Sequence, residues 1–297
     1  MFAAEFEYRK ATSVSQAVQM LSDNPGAKVL AGGHSLIPLL KLRQARPPVV
    51  IDIGGISELK EISGGDGIIR IGALASHRAI ESSSEIRNAC HVLTEVAAGI
   101  GDPAVRNRGT IGGNVAHADP ASDWPPVLTA LNARFVIQGS GGLGRRGTRT
   151  VPASDFFTGL FTTALAENEI LTAIEVPRLD ANQMAEYAKM AHPATTFPVV
   201  GAAVVVTVDG GRCTAASIAM GGLVPAPVRA RAVEAALMGQ ELTLDTISAA
   251  ATADRVSADL GNNVFGDSVF ASADYRRSMV AVEIKHALNH AVGLAHH

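Results

Sequence analysis

Apolar residues recur at helical spacing near the start of the chain and then give way to short, continuous apolar runs. The positions that share one helical face are Val14, Ala17, Val18 and Leu21. Thr12-Ser13 supplies a cap for this helix, and Pro25-Gly26 ends it. The apolar runs at 28–31 and 49–53 have the length of buried strands, and residues 37–43 between them begin as a helix or turn. The pattern predicts a small β-α-β unit.

The middle of the chain mixes strand and helix patterns. Strands are predicted at 59–62, 68–73 and 135–138. Helices are predicted to start after Ser76 and to cover 86–98 and 127–131. The glycine-rich stretch 139–147, with Arg145 and Arg146, predicts a solvated hairpin tip.

The last third of the chain changes from strands to helices. A cluster of proline, charged and polar residues at 177–183 predicts a domain boundary. Strands are predicted at 185–190, 199–209 and 215–220, and helices at 228–237, 244–258 and 274–291. The strands are rich in valine and alanine, so we expect one face to be buried and the other to be crowded. The whole pattern predicts an α+β protein.

The composition narrows the class of protein. The formal net charge is −3, so the chain lacks the basic surface of a nucleic-acid-binding protein. No apolar run reaches the roughly 18 residues of a membrane span, and the first residues do not resemble a secretory signal. Cys90 and Cys213 are too few for an iron–sulfur cluster, which takes about four thiolates. We expect a cytoplasmic protein that holds no cluster of its own.

Two short glycine-containing segments carry the candidate chemistry. They are Ala31-Gly32-Gly33-His34-Ser35-Leu36 and Thr110-Ile111-Gly112-Gly113-Asn114. Neither is a GxGxxG fingerprint or a Walker loop. Glycine lets the backbone approach a ligand closely, and successive N–H groups can bind an anion. Each segment alone would be interpreted as a tight turn, but the two together could grip the two ends of one pyrophosphate.

The pair of segments resembles those of the flavin-binding subunits of molybdenum hydroxylases, the xanthine dehydrogenase family. The resemblance runs from Phe6-Glu7-Tyr8 to the last predicted helix, and it is greatest to the medium subunits of aerobic carbon monoxide dehydrogenases. It implies a PCMH-type, vanillyl-alcohol-oxidase-like FAD-binding domain at 1–177. That domain would consist of a small β-α-β subdomain at about 1–55 and a larger one at about 56–177. A smaller C-terminal domain of antiparallel sheet and helices, of the carbon monoxide dehydrogenase flavoprotein type, would cover 178–297.

The resemblance also implies which residues surround FAD. From the first segment they are Ala31, Gly32, Gly33, His34, Ser35 and Leu36, with Gly32, Gly33 and Ser35 as donors to the pyrophosphate. From the second they are Thr110, Ile111, Gly112, Gly113 and Asn114, with the two glycine N–H groups and the Thr110 and Asn114 side chains as donors.

Four residues outside the two segments complete this implied set. Asp123 would accept hydrogen bonds from FAD hydroxyl groups, or it is a turn residue. Lys189 would stabilise negative charge on the reduced ring, or it is a solvated lysine. The backbone of Leu171 would lie against the cofactor, or Leu171 is a core residue. Phe197 stands where the carbon monoxide dehydrogenase pattern has a tyrosine over the flavin, which weakens an assignment to carbon monoxide.

The histidines bear on two further questions. His34, His77, His91, His117 and His192 show no metal-ligand spacing on a shared face, so we predict no metal site. Some covalent flavoproteins bond a histidine in a Gly-Gly-His-Ser context to the flavin. The molybdenum hydroxylase relatives have the same four residues and hold FAD without a covalent bond, so we predict non-covalent FAD. The sequence also offers no Ser-His-Asp or Cys-His arrangement for nucleophilic catalysis.

The resemblance implies an electron-transfer role for this chain. A large molybdopterin-binding subunit would oxidise the substrate, a small iron–sulfur subunit would pass electrons to FAD, and an external acceptor would receive them. The complex would be a dimer of heterotrimers. Two alternatives stay open: a self-sufficient FAD oxidase or dehydrogenase of the same fold, and a scaffold protein that has lost its flavin. The sequence leaves open whether the substrate is carbon monoxide, an aldehyde, a purine or an N-heteroaromatic compound.

Overall fold

The computed structural model describes residues 2–141 and 147–294. Residues 142–146 of the predicted hairpin tip, with Arg145 and Arg146, lie outside the described residues, and Gly139 and Gly147 on either side are paired. The described strands form a three-stranded, a five-stranded and a four-stranded sheet and a two-stranded ribbon. None of the described helices combines the length and the apolar character that crossing a bilayer requires.

The first sheet is parallel and contains the predicted β-α-β unit. Its strands are β1 (Glu7–Lys10), β2 (Lys28–Leu30) and β3 (Val49–Asp52), and its helices are α1 (Val14–Asp23) and α2 (Leu36–Lys41). The strand order is β1-β3-β2. Ser13 caps α1 as predicted, because its side chain accepts a hydrogen bond from the Gln16 N–H. The sequence does not predict β1, since this edge strand carries charged residues in place of an apolar run.

The second sheet is antiparallel. Its strands are β4 (Ile62–Gly65), β5 (Ile68–Gly72), β6 (Arg134–Gly139), β7 (Gly147–Pro152) and β10 (Ile170–Pro177). Between β7 and β10 the chain forms α9 (Ala153–Phe156) and the separate ribbon of β8 (Phe157–Gly159) and β9 (Thr162–Thr163). The order is β4-β5-β10-β6-β7. The helices between β5 and β6 are α3 (His77–Glu81), α4 (Ser84–Ala89), α5 (Val92–Ala98), α6 (Pro103–Arg108), α7 (Ile111–His117) and α8 (Trp124–Ala130).

Three predicted elements of this part differ from the structure. The helix predicted at 86–98 is two helices, because the backbone of Cys90 is extended (φ −162°) and ends α4. This break lets apolar residues of both helices enter the same core. The strand predicted at 59–62 is a 3-10 helix at Ser57–Lys60 followed by β4. The second glycine segment, expected as a loop, forms the first turn of α7.

The third sheet is antiparallel and opens the C-terminal part of the chain. Its strands, in spatial order, are β11 (Gln183–Ala191), β12 (Pro198–Asp209), β13 (Arg212–Gly221) and β14 (Val228–Arg229). The helices are α10 (Arg231–Leu237), α11 (Leu244–Ala250), α12 (Ala253–Leu260) and α13 (Ala273–Ala291). The helix predicted at 244–258 is divided because Thr252 caps a new helix. The helix predicted at 228–237 starts later because residues 228–229 pair with β13.

The valine- and alanine-rich pattern predicts one buried and one crowded face, and in the structure both faces of the third sheet contribute residues to a core. Val200, Val204 and Val206 belong to the core shared with the C-terminal helices. Ala203 and Ala219 belong to the core that also contains α8 and the second sheet. Small alanine side chains on this second face allow the close approach of α8. The third sheet and the part of the chain that precedes it therefore share one core, and α8 lies at their junction.

Candidate functional site

The first glycine segment connects β2 to α2 and leaves a row of hydrogen-bond donors available. Gly33 has a positive φ of 81°, and the backbone N–H groups of residues 33–36 donate to no other described residue. Ser35 stands at the N-cap, but its hydroxyl makes no capping hydrogen bond. Unpaired N–H groups in the first turn of a helix require water or a ligand as partner. This segment can therefore bind an anionic group.

The second glycine segment uses most of its donors inside the protein. Thr110 caps α7 by accepting a hydrogen bond from the Gly113 N–H at 3.1 Å. The Gly112 N–H donates to the carbonyl of Ala73 at 2.9 Å. The structure therefore does not support the expectation that these two N–H groups donate to a pyrophosphate. Asn114 is different: its Oδ1 accepts a hydrogen bond from Ser122, and its side-chain amide nitrogen takes no part in that bond.

The first glycine segment packs against residues 108–109, which lead into the second segment, and a Cβ on Gly113 would lie 3.6 Å from the Ala31 Cβ. A Cβ on Gly32 would overlap the carbonyl oxygen of Arg108, and a Cβ on Gly112 would overlap Ala73. A Cβ on Gly113 would lie 2.8 Å from Thr110 Oγ1. From the sequence alone, these glycines are expected where a ligand approaches the backbone closely. In the structure Gly32 lets the first segment lie against residues 108–109, and Gly112 lets the second segment lie against Ala73.

Asp123 forms a buried ion pair with a residue of the third sheet. It precedes α8, is 5% exposed, and its Oδ1 accepts hydrogen bonds from Lys189 Nζ at 2.8 Å and from the Tyr187 hydroxyl at 3.0 Å. Lys189 Nζ also donates to the carbonyls of Gly99 at 3.1 Å and Thr196 at 3.0 Å. The ammonium thus has three protein acceptors. The hydrogen bonds from Lys189 and Tyr187 both go to Oδ1 of Asp123 and do not use its second carboxylate oxygen.

Burial affects the protonation of both Asp123 and Tyr187. Burial raises the pKa of the Asp123 carboxyl, while Lys189 and the hydrogen bonds from Lys189 and Tyr187 oppose the increase. Burial also raises the pKa of the Tyr187 hydroxyl well above its usual range, so the phenol keeps its proton and acts as a donor. A carboxylate held in this way can accept hydrogen bonds from hydroxyl groups of a ligand.

Leu171 and Phe197 occupy contrasting surroundings. Leu171 lies on β10 and its side chain is buried in the hydrophobic core. The neighbouring Thr172 carbonyl accepts a hydrogen bond from the Ala73 N–H, so β10 is linked through Ala73 to the second glycine segment. Phe197 is 47% exposed in the turn between β11 and β12, next to the Thr196 carbonyl that binds Lys189.

Sequence reasoning did not identify Tyr187 or His77 as parts of the site. Tyr187 and Lys189 are two apart on one strand, so both side chains point to the same face, and this spacing was the available signal. His77 is buried beneath the second segment, where its Nδ1 accepts a hydrogen bond from Trp124 Nε1 at 3.3 Å. Burial lowers the pKa of His77 to about 4, so its ring is neutral near pH 7. His34 is exposed, and its Nε2 lies 3.4 Å from the Ala104 carbonyl oxygen.

Comparison with known proteins identifies the class to which this site belongs. Residues 4–179 match the family described as the FAD binding domain in molybdopterin dehydrogenase, and residues 185–291 match the CO dehydrogenase flavoprotein C-terminal domain. The chain therefore belongs to the FAD-binding family of the molybdopterin dehydrogenases. The resemblance seen in the sequence is confirmed, as are the α+β fold, FAD as the cofactor and membership of an oxidoreductase family.

Individual relatives agree with this family over almost the whole chain. The carbon monoxide dehydrogenase medium chain of Hydrogenophaga pseudoflava is 37% identical over 97% of this chain and 98% of its own length. The glyceraldehyde dehydrogenase medium chain of Sulfolobus acidocaldarius is 36% identical over 95% and 96%. A solved structure of carbon monoxide dehydrogenase from H. pseudoflava, lacking the Mo-pyranopterin moiety of its molybdenum cofactor, superposes with a TM-score of 0.92 at 39% identity, covering 99% of each chain.

The residues present suit a dinucleotide such as FAD. The unpaired N–H groups of 33–36 suit a phosphate, and the amide of Asn114 supplies a further donor on the adjoining segment. The Asp123 carboxylate suits hydroxyl groups, since a carboxylate accepts hydrogen bonds and repels phosphate. The donors and the acceptor stand on connected parts of the chain, because Asn114 is hydrogen-bonded to Ser122, the neighbour of Asp123.

Proposed function

We propose that this chain carries FAD non-covalently as the electron-transfer subunit of a molybdenum hydroxylase complex. It would receive electrons from the iron–sulfur clusters of a small partner subunit and pass them to an external acceptor. Bound FAD supplies the redox chemistry, and the chain binds and orients it. The observation that carries the proposal is the pair of neighbouring glycine segments beside the buried Asp123–Lys189 pair, in a chain of this family.

The first segment is proposed to hold the pyrophosphate. Residues 31–36 supply the site, with the N–H groups of 33–36 and the Ser35 hydroxyl as donors. In the second segment, residues 110–114, the side-chain amide of Asn114 is proposed as the donor. Thr110, Ile111, Gly112 and Gly113 shape this segment, because their internal hydrogen bonds and packing fix its conformation.

Asp123 is proposed to accept hydrogen bonds from hydroxyl groups of FAD through its second carboxylate oxygen. Lys189 then acts mainly by holding the ionised carboxylate in place, since its three N–H groups already have protein acceptors. Phe197, exposed beside this group, is proposed to cover the flavin with an apolar ring. Leu171 is proposed to approach FAD only through the backbone of β10, since its side chain lies in the core.

The rest of the complex follows from the same proposal. A large molybdopterin-binding subunit would oxidise the substrate, and two copies of the three-chain unit would assemble in the cytoplasm. The substrate is left open by the relatives, because chains named for carbon monoxide and for glyceraldehyde dehydrogenases are almost equally similar to this one. The choice of substrate would lie in the large subunit.

Two measurements on the native complex and on the purified chain test the proposal. The complex is expected to contain molybdenum, iron and FAD, and the chain alone to contain FAD only. An artificial electron donor should reduce the flavin of the chain alone, whereas carbon monoxide, aldehydes or purines should not. Rapid turnover of a substrate by the chain alone would favour a self-sufficient oxidase or dehydrogenase. A purified chain without a flavin spectrum, even after incubation with FAD, would favour a scaffold.

A further inference from the structure

A cluster of three potential metal ligands lies between α5 and the edge strand β11. It consists of His91, which directly precedes α5, Glu95 in the first turn of α5, and Glu186 on β11. One ligand atom from each residue lies within 4.8 Å of the others. Ligands at about 2.0–2.2 Å from a common ion lie at most about 4.4 Å apart, so small side-chain rotations would bring all three ligand atoms onto one ion.

The fold brings these residues together for identifiable reasons. His91 and Glu95 are four residues apart, and His91 already has helical backbone angles, so the two side chains share one face. The end of α5 is fixed to the same strand, because Lys189 of β11 donates a hydrogen bond to the carbonyl of Gly99. Helix α5 therefore runs beside β11 and is attached to it at its C-terminal end.

The charges of the cluster favour a bound cation. Glu186 is partly buried, and burial raises the pKa of its carboxyl, to which the negative charge of Glu95 adds. The charges of His290 on α13 and of His91 act in the opposite direction. One oxygen of Glu186 accepts a hydrogen bond from the Tyr187 N–H at 3.2 Å, which orients the carboxylate. Two carboxylates facing each other repel, and a divalent ion between them would remove this repulsion.

We propose that His91, Glu95 and Glu186 bind a divalent first-row transition metal ion. One imidazole and two carboxylates are a donor set that such ions accept, whereas Mg²⁺ and Ca²⁺ prefer oxygen ligands alone. Three protein ligands leave a coordination position for water. The ion would join α5, in the segment 4–179, to β11, in the segment 185–291. The histidines alone predict no metal, because His91 shares its helical face with a glutamate one turn away and not with another histidine.

The proposal is tested with Zn²⁺ on the flavin-loaded chain after treatment with a chelator. Competition with a chromophoric chelator measures the stoichiometry and affinity, and Co²⁺ absorption reports the ligand set. The test variants are His91→Ala, Glu95→Gln and Glu186→Gln. Glu167→Gln is the matched control, because Glu167 is an exposed glutamate outside the cluster. Glu95 is also exposed, so its variant should fold normally.

We expect one Zn²⁺ per wild-type chain, with affinity at least about tenfold lower in each of the three variants and unchanged in the control. Zn²⁺ should raise the melting temperature of the wild type and of the control, and should raise it less in the three variants. Equal affinity in the wild type and all variants would place the ion elsewhere on the chain and overturn the proposal. Failure of the wild type to bind more Zn²⁺ than the His91→Ala variant would also overturn it.

Discussion

Replacing Lys189 by methionine tests whether the buried ion pair holds the site together. Methionine preserves most of the length and packing of the side chain but removes the ammonium group. The change would delete hydrogen bonds to Asp123, Gly99 and Thr196 at once. Asp123 would keep the Tyr187 hydroxyl as its partner in this group and would remain buried.

The expected loss of stability follows from the burial of the two partners. The Asp123 side chain is 6% exposed and that of Lys189 is 17% exposed, so solvent screens the pair only weakly. Removing one partner of a buried ion pair costs about 3–5 kcal/mol, because the remaining charge is left without compensation. Asp123 can respond by binding a proton, so we expect a loss near the lower end, about 3 kcal/mol in the free energy of unfolding.

The loss should also depend on pH, with a definite sign. Burial already raises the pKa of Asp123 above its ordinary value of 3.8, and removal of Lys189 should raise it further. A carboxyl with a raised pKa in the folded state destabilises the fold when it is ionised, and this penalty disappears as pH falls through that pKa. The variant should therefore lose more stability relative to the wild type at about pH 8 than at about pH 5.

Equilibrium unfolding in urea, followed by circular dichroism at a fixed FAD concentration, measures both effects. Lys60→Met is a suitable control, because Lys60 is exposed and its change should stay within about 0.5 kcal/mol. A loss below about 1 kcal/mol at both pH values would refute the claim that this pair is a buried, stabilising contact. A large loss that is equal at both pH values would refute the argument from the pKa of Asp123.

Four further predictions concern individual residues. Gly32→Ala should lower the free energy of unfolding by about 1–3 kcal/mol and weaken FAD binding, because the first glycine segment must move away from the backbone of residues 108–109. Gly65→Ala, at a position with open space around it, should change neither quantity in urea and flavin titrations. Asp123→Ala should weaken FAD binding by about 1–3 kcal/mol, and unchanged affinity in a flavin titration would contradict its role as an acceptor. Acid precipitation should release the yellow colour into the supernatant, because His34 forms no covalent link; colour in the washed pellet would contradict this. As pH falls from about 6.5 towards about 4, the wild type should lose stability, because His77 binds a proton in the unfolded chain while its buried ring stays neutral in the folded protein. His77→Gln should flatten this part of the pH profile.

The sequence predicts most helices and strands because their local signals agree with their final burial. Helix α1 has its cap, its apolar face and its terminating Pro25-Gly26, and the structure uses all three. The boundaries that differ are set by tertiary contacts. Cys90 interrupts a helical pattern because the break lets two short helices enter one core, and residues 228–229 leave a helical pattern to pair with β13.

The sequence predicts which residues form the candidate site better than it predicts the contacts among them. Residue type and order pointed to both glycine segments, but the pattern could not tell that Gly112 and Gly113 have internal partners for their N–H groups. That information depends on where Ala73 lies after folding. The role of Tyr187 likewise needs the distance to Asp123, which is 64 residues away in the sequence. Spacing of two along a strand was the only local sign.

The buried ion pair makes the proposed cofactor site depend on both parts of the chain. Both glycine segments and Asp123 lie in the part that matches the FAD-binding family, residues 4–179. The two side chains that hold Asp123, Tyr187 and Lys189, lie beyond it, on β11. Without them, α8 would begin with an unpaired carboxylate at the junction where the alanine face of the third sheet now covers it. Such a carboxylate would take up a proton or draw in water, and in either case it would no longer be a fixed acceptor. In the proposed site, the C-terminal sheet therefore contributes to the electrostatics as well as to the core.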